Sequence, residues 1–173
     1  SAWGDVRREG SAILAFLERA ADMKDAQPLG LPAVREVFWL GDAFAVMLAW
    51  EEGVSLEQML AAPSDDLSTP LGALQLVKRL IETVDEVHER GFGHGDLKPA
   101  NIVIRQDGAP VLIDALDFSS GRDGERVSSA YAPESVSIFE RERFAVTKIA
   151  DEVFAGDLCD SEPLPLENAY AFR

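Results

Sequence analysis

The sequence predicts an α+β fold, a mainly helical body with few and short strands. Two observations carry that expectation. Apolar residues recur at a helical period in several separate segments. Short apolar runs occur in pairs around the turn dipeptides Gly41-Asp42 and Asp107-Gly108. No internal repeat or low-complexity tract complicates this reading.

Taken in order, residues 6 to 22 carry Ile13, Phe16, Leu17 and Ala20 at helical spacing, and Pro28 with Gly30 closes the segment. Val34 to Leu40 and Ala43 to Trp50 read as two strands of a hairpin around Gly41-Asp42. Ser55 can cap a short helix running to about Ala62, and Pro63-Ser64-Asp65-Asp66 makes a loop. Thr69 and Pro70 open a longer helix, since proline suits a first helical position. Leu71, Leu74, Val77, Ile81, Val84 and Val87 are expected on its buried face, with Gly91 as the left-handed stop. Ile102 to Ile104 and Val111 to Ile113 read as short strands joined through Asp107-Gly108. The polar stretch from Ser119 to Val127 reads as a loop, and Glu140 to Phe154 as a helix with Phe144, Ile149 and Val153 apolar.

Bulk properties narrow the function. The 173 residues carry 31 acids against 16 bases, a net charge of −15, with no basic stripe, which disfavours nucleic acid and anionic membrane as partners. Cys159 is the single cysteine, so no internal disulfide forms, and a cytoplasmic setting is expected. No apolar run reaches the length of a membrane span. Ser1-Ala2-Trp3 does not read as a signal peptide, and the abrupt start suggests an excised domain.

The chemistry concentrates in His94-Gly95-Asp96-Leu97-Lys98-Pro99-Ala100-Asn101, followed by Asp114 at the end of an apolar run. Phosphoryl transfer needs cations, ligands that fix them and a carboxylate that orients the attacking hydroxyl. Asp96 can accept a hydroxyl proton, Lys98 can reach a transferring phosphate, and Asn101 and Asp114 can offer oxygen to Mg²⁺. Each also has a bland role: loop cap for Asp96, loop brace for Asn101, turn former for Asp114, solvated cation for Lys98.

These residues resemble the catalytic loop and metal-binding aspartate of protein kinases, H-R-D-x-K-x-x-N and D-F-G. Asp114 lies thirteen residues after Asn101, the spacing the resemblance requires, whereas Asp117-Phe118-Ser119 lies too far. Ala132-Pro133-Glu134 resembles the kinase A-P-E, preceded by Ser128 and Tyr131. Val87-His88-Glu89-Arg90-Gly91 resembles the end of the helix before the catalytic loop, with His88 itself read as a surface residue. Phe44 to Leu60 resembles the strand, hinge and helix that hold adenine.

The resemblance implies a kinase-like helical C-lobe with an N-lobe reduced to one helix and a β-hairpin. It divides the chain into residues 1–50 up to the hinge, 51–155 as the C-lobe and 156–173 as a tail. It implies ATP and Mg²⁺ as cofactors. Asp96, Lys98 and Asn101 are then catalytic, Asn101 and Asp114 hold metal, and Ala49, Trp50, Glu51 and Val103 surround adenine. Glu9 would be the helix glutamate that pairs with a strand lysine. His94 is implied to be structural, and Glu142 to tie down the catalytic loop.

Departures from the pattern leave three functions open. There is no G-x-G-x-x-G segment and no strand lysine, Gly95 replaces the arginine, and Asp114-Ala115-Leu116 replaces D-F-G. The first reading is a partial Ser/Thr-type protein kinase that acts on a protein substrate, its missing N-lobe elements supplied by another segment or a partner domain. The second is a pseudokinase that binds nucleotide or protein without catalysis. The third, suggested by the His-Gly-Asp triplet, is a small-molecule phosphotransferase of the aminoglycoside or choline kinase type.

Overall fold

The computed structural model describes residues 2–41, 43–62, 69–115, 131 and 137–155, with the side chains of 2–9, 11 and 12 outside the description. Helix α1 (Ala2–Ala26) leads into the antiparallel pair β1 (Val34–Leu40) and β2 (Ala43–Leu48). A second sheet has the order β3-β4-β5, from β3 (Val54–Ser55), β4 (Ile102–Ile104) and β5 (Pro110–Leu112), with all pairings antiparallel. Around it lie α2 (Leu56–Ala61), α3 (Pro70–Glu89) and α4 (Ile138–Ala155). A 3-10 turn, Pro99–Asn101, leads into β4.

Local signals explain most element boundaries. Ser55 and Gln58 form a reciprocal capping box on α2, which satisfies two N–H groups left over at its first turn. Thr69 Oγ1 accepts from Gly72 N–H at 3.0 Å and Pro70 begins α3. Gly91, at φ +81, lets the chain leave that helix, while Phe92 N–H returns to Val87 O. A second capping box, Ser137 with Glu140, starts α4 two residues earlier than the hydrophobic pattern suggests. The Ser-x-x-Glu spacing was readable in the sequence.

The core runs between α3, α4 and the three-stranded sheet, with Leu56, Ala73, Leu80, Val87, Ile102, Leu112 and Ile149 at most 1% exposed. The buried face of α3 differs from the expected one. Ala73, Leu76, Val77, Leu80, Val84 and Val87 are buried, while Leu71, Leu74 and Ile81 are 64, 56 and 44% exposed. This helix is apolar on two adjoining stripes, so periodicity alone cannot choose between them. Packing chooses the stripe with the small residue Ala73, which has no exposed surface. Strand β3 also escaped the sequence reading, because a two-residue strand has no alternation and exists only through its partner β4.

Gly30 shows how the segment after α1 is seated. A Cβ there would stand 2.6 Å from Thr83 Cγ2 and 2.8 Å from Val87 Cγ2, so only glycine fits against α3. Gly30 O accepts from Leu112 N–H at 2.9 Å, which ties this segment to β5. Among the described residues no helix is long and apolar enough to cross a membrane.

The choice of buried stripe is testable by urea unfolding. Leu80→Ala is expected to destabilise by about 2–5 kcal/mol, as a core truncation does. Its neighbour Ile81→Ala should cost less than about 1 kcal/mol.

Candidate active site

Two short segments meet at the end of the β4–β5 hairpin. One is the loop 92–101 and the other is the exit from β5, Ile113 to Ala115. Two hydrogen bonds hold them together and a third orients the histidine within the loop. Ile113 N–H donates to Asn101 O at 2.9 Å, His94 Nε2–H donates to Ile113 O at 2.5 Å, and Asp96 N–H donates to His94 Nδ1 at 3.3 Å. That network assigns His94 as the neutral Nε2–H tautomer. Burial, with 1% exposure, pushes its pKa below the usual 6.5, against the upward pull of the Ile113 carbonyl and of Glu142. His94 is thus built into the scaffold, in the structural place expected for it.

The expected catalytic residues converge. Lys98 Nζ donates to Asp96 Oδ2 at 2.6 Å. Asn101 Nδ2–H donates to Asp96 O at 2.9 Å and reaches Asp96 Oδ2 at 3.4 Å. Asn101 spends its amide nitrogen on Asp96, and its Oδ1 has no partner among the described residues. Asp114 is exposed and adopts φ +65, a left-handed conformation that few residues accept. Its carboxylate has no hydrogen-bond or salt-bridge partner among the described residues. Two hard oxygen donors from adjoining segments suit Mg²⁺, which completes its shell with water and phosphate oxygens. Among the described residues no group of three or more His, Cys, Asp or Glu side chains is placed to hold a metal ion.

Glu142 holds the loop from beneath. Its Oε1 accepts Gly95 N–H at 2.8 Å, as its place in the sequence implied, and its Oε2 lies 2.7 Å from His88 Nε2. The extra methylene of glutamate therefore still reaches the loop. His88, read from the sequence as a surface residue, instead turns its ring inward: the side chain is 8% exposed and packs 4.7 Å from Phe139, though the residue as a whole is half-buried. A polar residue near a helix end gives no local sign of burial; the partner fifty-four residues away decides it. Gly95, at φ +94, sits where a side chain would be strained, so the residue that departs from the kinase pattern also sets this turn.

The expected adenine neighbours fall on β4 and on the segment that follows β2. Val103 is half-buried on β4, opposite Ser55 of β3. Ala49 N–H donates to Ala33 O at 2.8 Å, so that amide serves the scaffold and not a base. Trp50 is 86% exposed. Glu51 is clamped by Arg105, whose Nε–H and Nη2–H both donate to Oε2 at 2.8 and 2.5 Å. Glu9 falls on α1, with its side chain outside the described residues. Ser128, Ala132-Pro133-Glu134 and Asp117-Phe118-Ser119 also lie outside them.

Sequence reasoning missed Arg19. From α1 its Nε–H donates to Ala115 O at 2.8 Å and its Nη2–H to Gly93 O. Burial lowers its pKa from the usual value and Glu142 opposes the shift, though a guanidinium stays charged throughout. No short motif marks such a residue, because its acceptors are main-chain carbonyls 74 and 96 positions away.

No family model matches the chain. It is 33% identical over 85 residues to serine/threonine-protein kinase C of Synechocystis, across 49% of this chain and 16% of that protein. It is 26% identical over 125 residues to serine/threonine-protein kinase PknB of Mycolicibacterium smegmatis, across 68% of this chain and 19% of that one. The chain thus spans about a sixth to a fifth of the length of these relatives. A solved structure, the PpkA-294 apo form, superposes with a TM-score of 0.66 at 18% identity, covering 95% of this chain and 66% of that chain. The α+β, protein-kinase-like fold expected from the sequence is the one observed, in reduced form.

His94 gives the site a pH signature. A histidine whose folded pKa is depressed leaves the unfolded chain holding more protons, so stability rises with pH through the unfolded value of 6.5 and is lost below it. His94→Gln keeps a donor but does not titrate. Its melting-temperature deficit against wild type should shrink as pH falls from about 7.5 to about 5.5, measured by calorimetry. A pH-independent deficit would show that His94 titrates alike in both states.

Proposed function

From a protein-kinase-like fold, we propose that this chain supplies the catalytic half of a phosphotransferase that uses Mg²⁺ and ATP and acts on serine or threonine hydroxyls of a protein. The observation that carries the reading is the cluster of Asp96, Lys98 and Asn101, to which the Asp114 segment is tied through Ile113 N–H on Asn101 O, with no partner for Asn101 Oδ1 or the Asp114 carboxylate among the described residues. Asn101 and Asp114 would hold the metal, which when bound neutralises phosphate oxygens. Asp96 orients the acceptor hydroxyl and takes its proton on Oδ1, the oxygen that neither Lys98 nor Asn101 occupies. Lys98, held at Asp96 Oδ2 without substrate, turns to the transferring phosphate. Val103 forms one wall for the base, and the main chain at 50–51 its edge.

The partner is part of the proposal. The lysines of this chain are Lys24, Lys78, Lys98 and Lys148, of which Lys24, Lys78 and Lys148 lie on helices and Lys98 in the loop. None stands on a strand to grip the α- and β-phosphates, so a further segment or partner domain supplies that grip and the cover over the phosphates. The same observation favours a second reading, a pseudokinase that binds nucleotide and signals through shape alone.

The test is nucleotide binding by calorimetry, with and without Mg²⁺, followed by transfer from labelled ATP to Ser- and Thr-containing peptides using the full reading frame. Asp96→Asn should reduce transfer by about 10²–10⁴-fold while Mg-ATP still binds. Asp114→Asn should abolish the Mg²⁺ dependence of binding. Binding without any transfer would select the pseudokinase reading. Transfer to small alcohols and not to peptides would sink both in favour of a small-molecule phosphotransferase.

A further inference from the structure

Arg19 is the one strut from α1 into the catalytic segments that the described hydrogen bonds reveal. Its two acceptors are not adjacent in sequence. Gly93 precedes His94 at the entry to the loop, and Ala115 follows Asp114 at the exit from β5. A single planar fork therefore fixes one residue on the N-terminal side of the catalytic loop and one residue past the metal-ligating carboxylate. Both acceptors are buried, Ala115 at 3% exposure. Ala115 carries only a methyl group, so its own side chain gives Asp114 little purchase, and the carbonyl is the handle. Arg19 has no carboxylate within salt-bridge distance among the described residues, and Glu142 acts on it only through space. The two donors it uses among the described residues thus position main chain and do not close an ion pair.

We propose that Arg19 is a positioning residue that couples α1 to the metal site: it holds Asp114 in its left-handed conformation by clamping the carbonyls of Gly93 and Ala115. The inference rests on Asp114 being a metal ligand, as in the function proposed above. It adds a route of control, because a displacement of α1 withdraws the clamp and loosens both the loop entry at 93–96 and Asp114, with no direct contact to Lys98 or Asn101. His94 on Ile113 O and Ile113 N–H on Asn101 O already join the two segments, but both stop short of Ala115, whose carbonyl is held by the guanidinium.

The experiment compares wild type, Arg19→Met and Arg19→Lys in the full 173-residue chain. Amide hydrogen exchange reads the clamp directly. Mn²⁺ affinity in the presence of a non-hydrolysable ATP analogue, by electron paramagnetic resonance, reads its consequence. Arg19→Met should accelerate exchange at residues 93–96 and 113–115 but not at 84–87 on α3. It should weaken Mn²⁺ by about tenfold, in the range for supports of metal ligands, while metal-free nucleotide affinity changes less than about twofold. Arg19→Lys, which keeps the charge but cannot fork across two carbonyls, should fall between. Unchanged exchange at 113–115 in the methionine variant overturns the proposal, and so does a uniform rise that includes α3. The exchange pattern needs no nucleotide, so it decides whether Arg19 clamps these segments even if this chain, without the segment that grips the phosphates, binds no metal–nucleotide.

Discussion

The arrangement of the site depends on one buried carboxylate. Glu142 is 2% exposed, yet its two oxygens reach two different elements: the loop amide of Gly95 and the ring of His88 at the end of α3. A buried carboxylate with either partner missing would be costly, so the three elements are held to one mutual position. The loop that carries Asp96 then has its origin fixed from α4, its entry fixed by His94 on Ile113, and its end fixed by Asn101 on the same strand exit. The placement of Asp96, Lys98 and Asn101 follows from that frame more than from any contact among their side chains.

Much of this was legible in the sequence because it depends on local chemistry. The caps at Ser55 and Thr69 and the left-handed stop at Gly91 are short-range and were read correctly. The convergence of Asp96, Lys98, Asn101 and Asp114 follows from spacing along a loop and one small hairpin, again a local matter. What escaped was set by packing at long range. The α3 stripe was chosen by which side Ala73 lets neighbours approach, His88 by a partner on α4, and Arg19 by carbonyls that no pattern advertises. Strand β3 has so little content of its own that only β4 makes it a strand.

The use of positive charge is frugal. In a chain with 16 bases against 31 acids, several cations act as cross-ties between segments distant in sequence and do not decorate the surface. Arg19 joins α1 to two carbonyls, Arg105 joins β4 to Glu51, and Arg79 joins α3 to the carbonyl of Asp107 in the β4–β5 turn. Each is a guanidinium, whose several fixed donors suit a tie between main-chain or carboxylate acceptors. Lys98 is the exception and is the one cation that the proposed chemistry requires to move. An ammonium on a flexible stem suits that task.

The left-handed backbone at Asp114 has a consequence for how this position can vary. Glycine, asparagine and aspartate tolerate that conformation with little strain. Of these three, only aspartate brings an ionised oxygen pair to a divalent cation, and glutamate, the nearest chemical substitute, would meet the steric penalty of αL. Backbone shape and ligand chemistry therefore select the same residue independently. Relatives that keep the fold but not the proposed metal ligand would be expected to carry asparagine or glycine here, a scar left by the backbone after the carboxylate has gone.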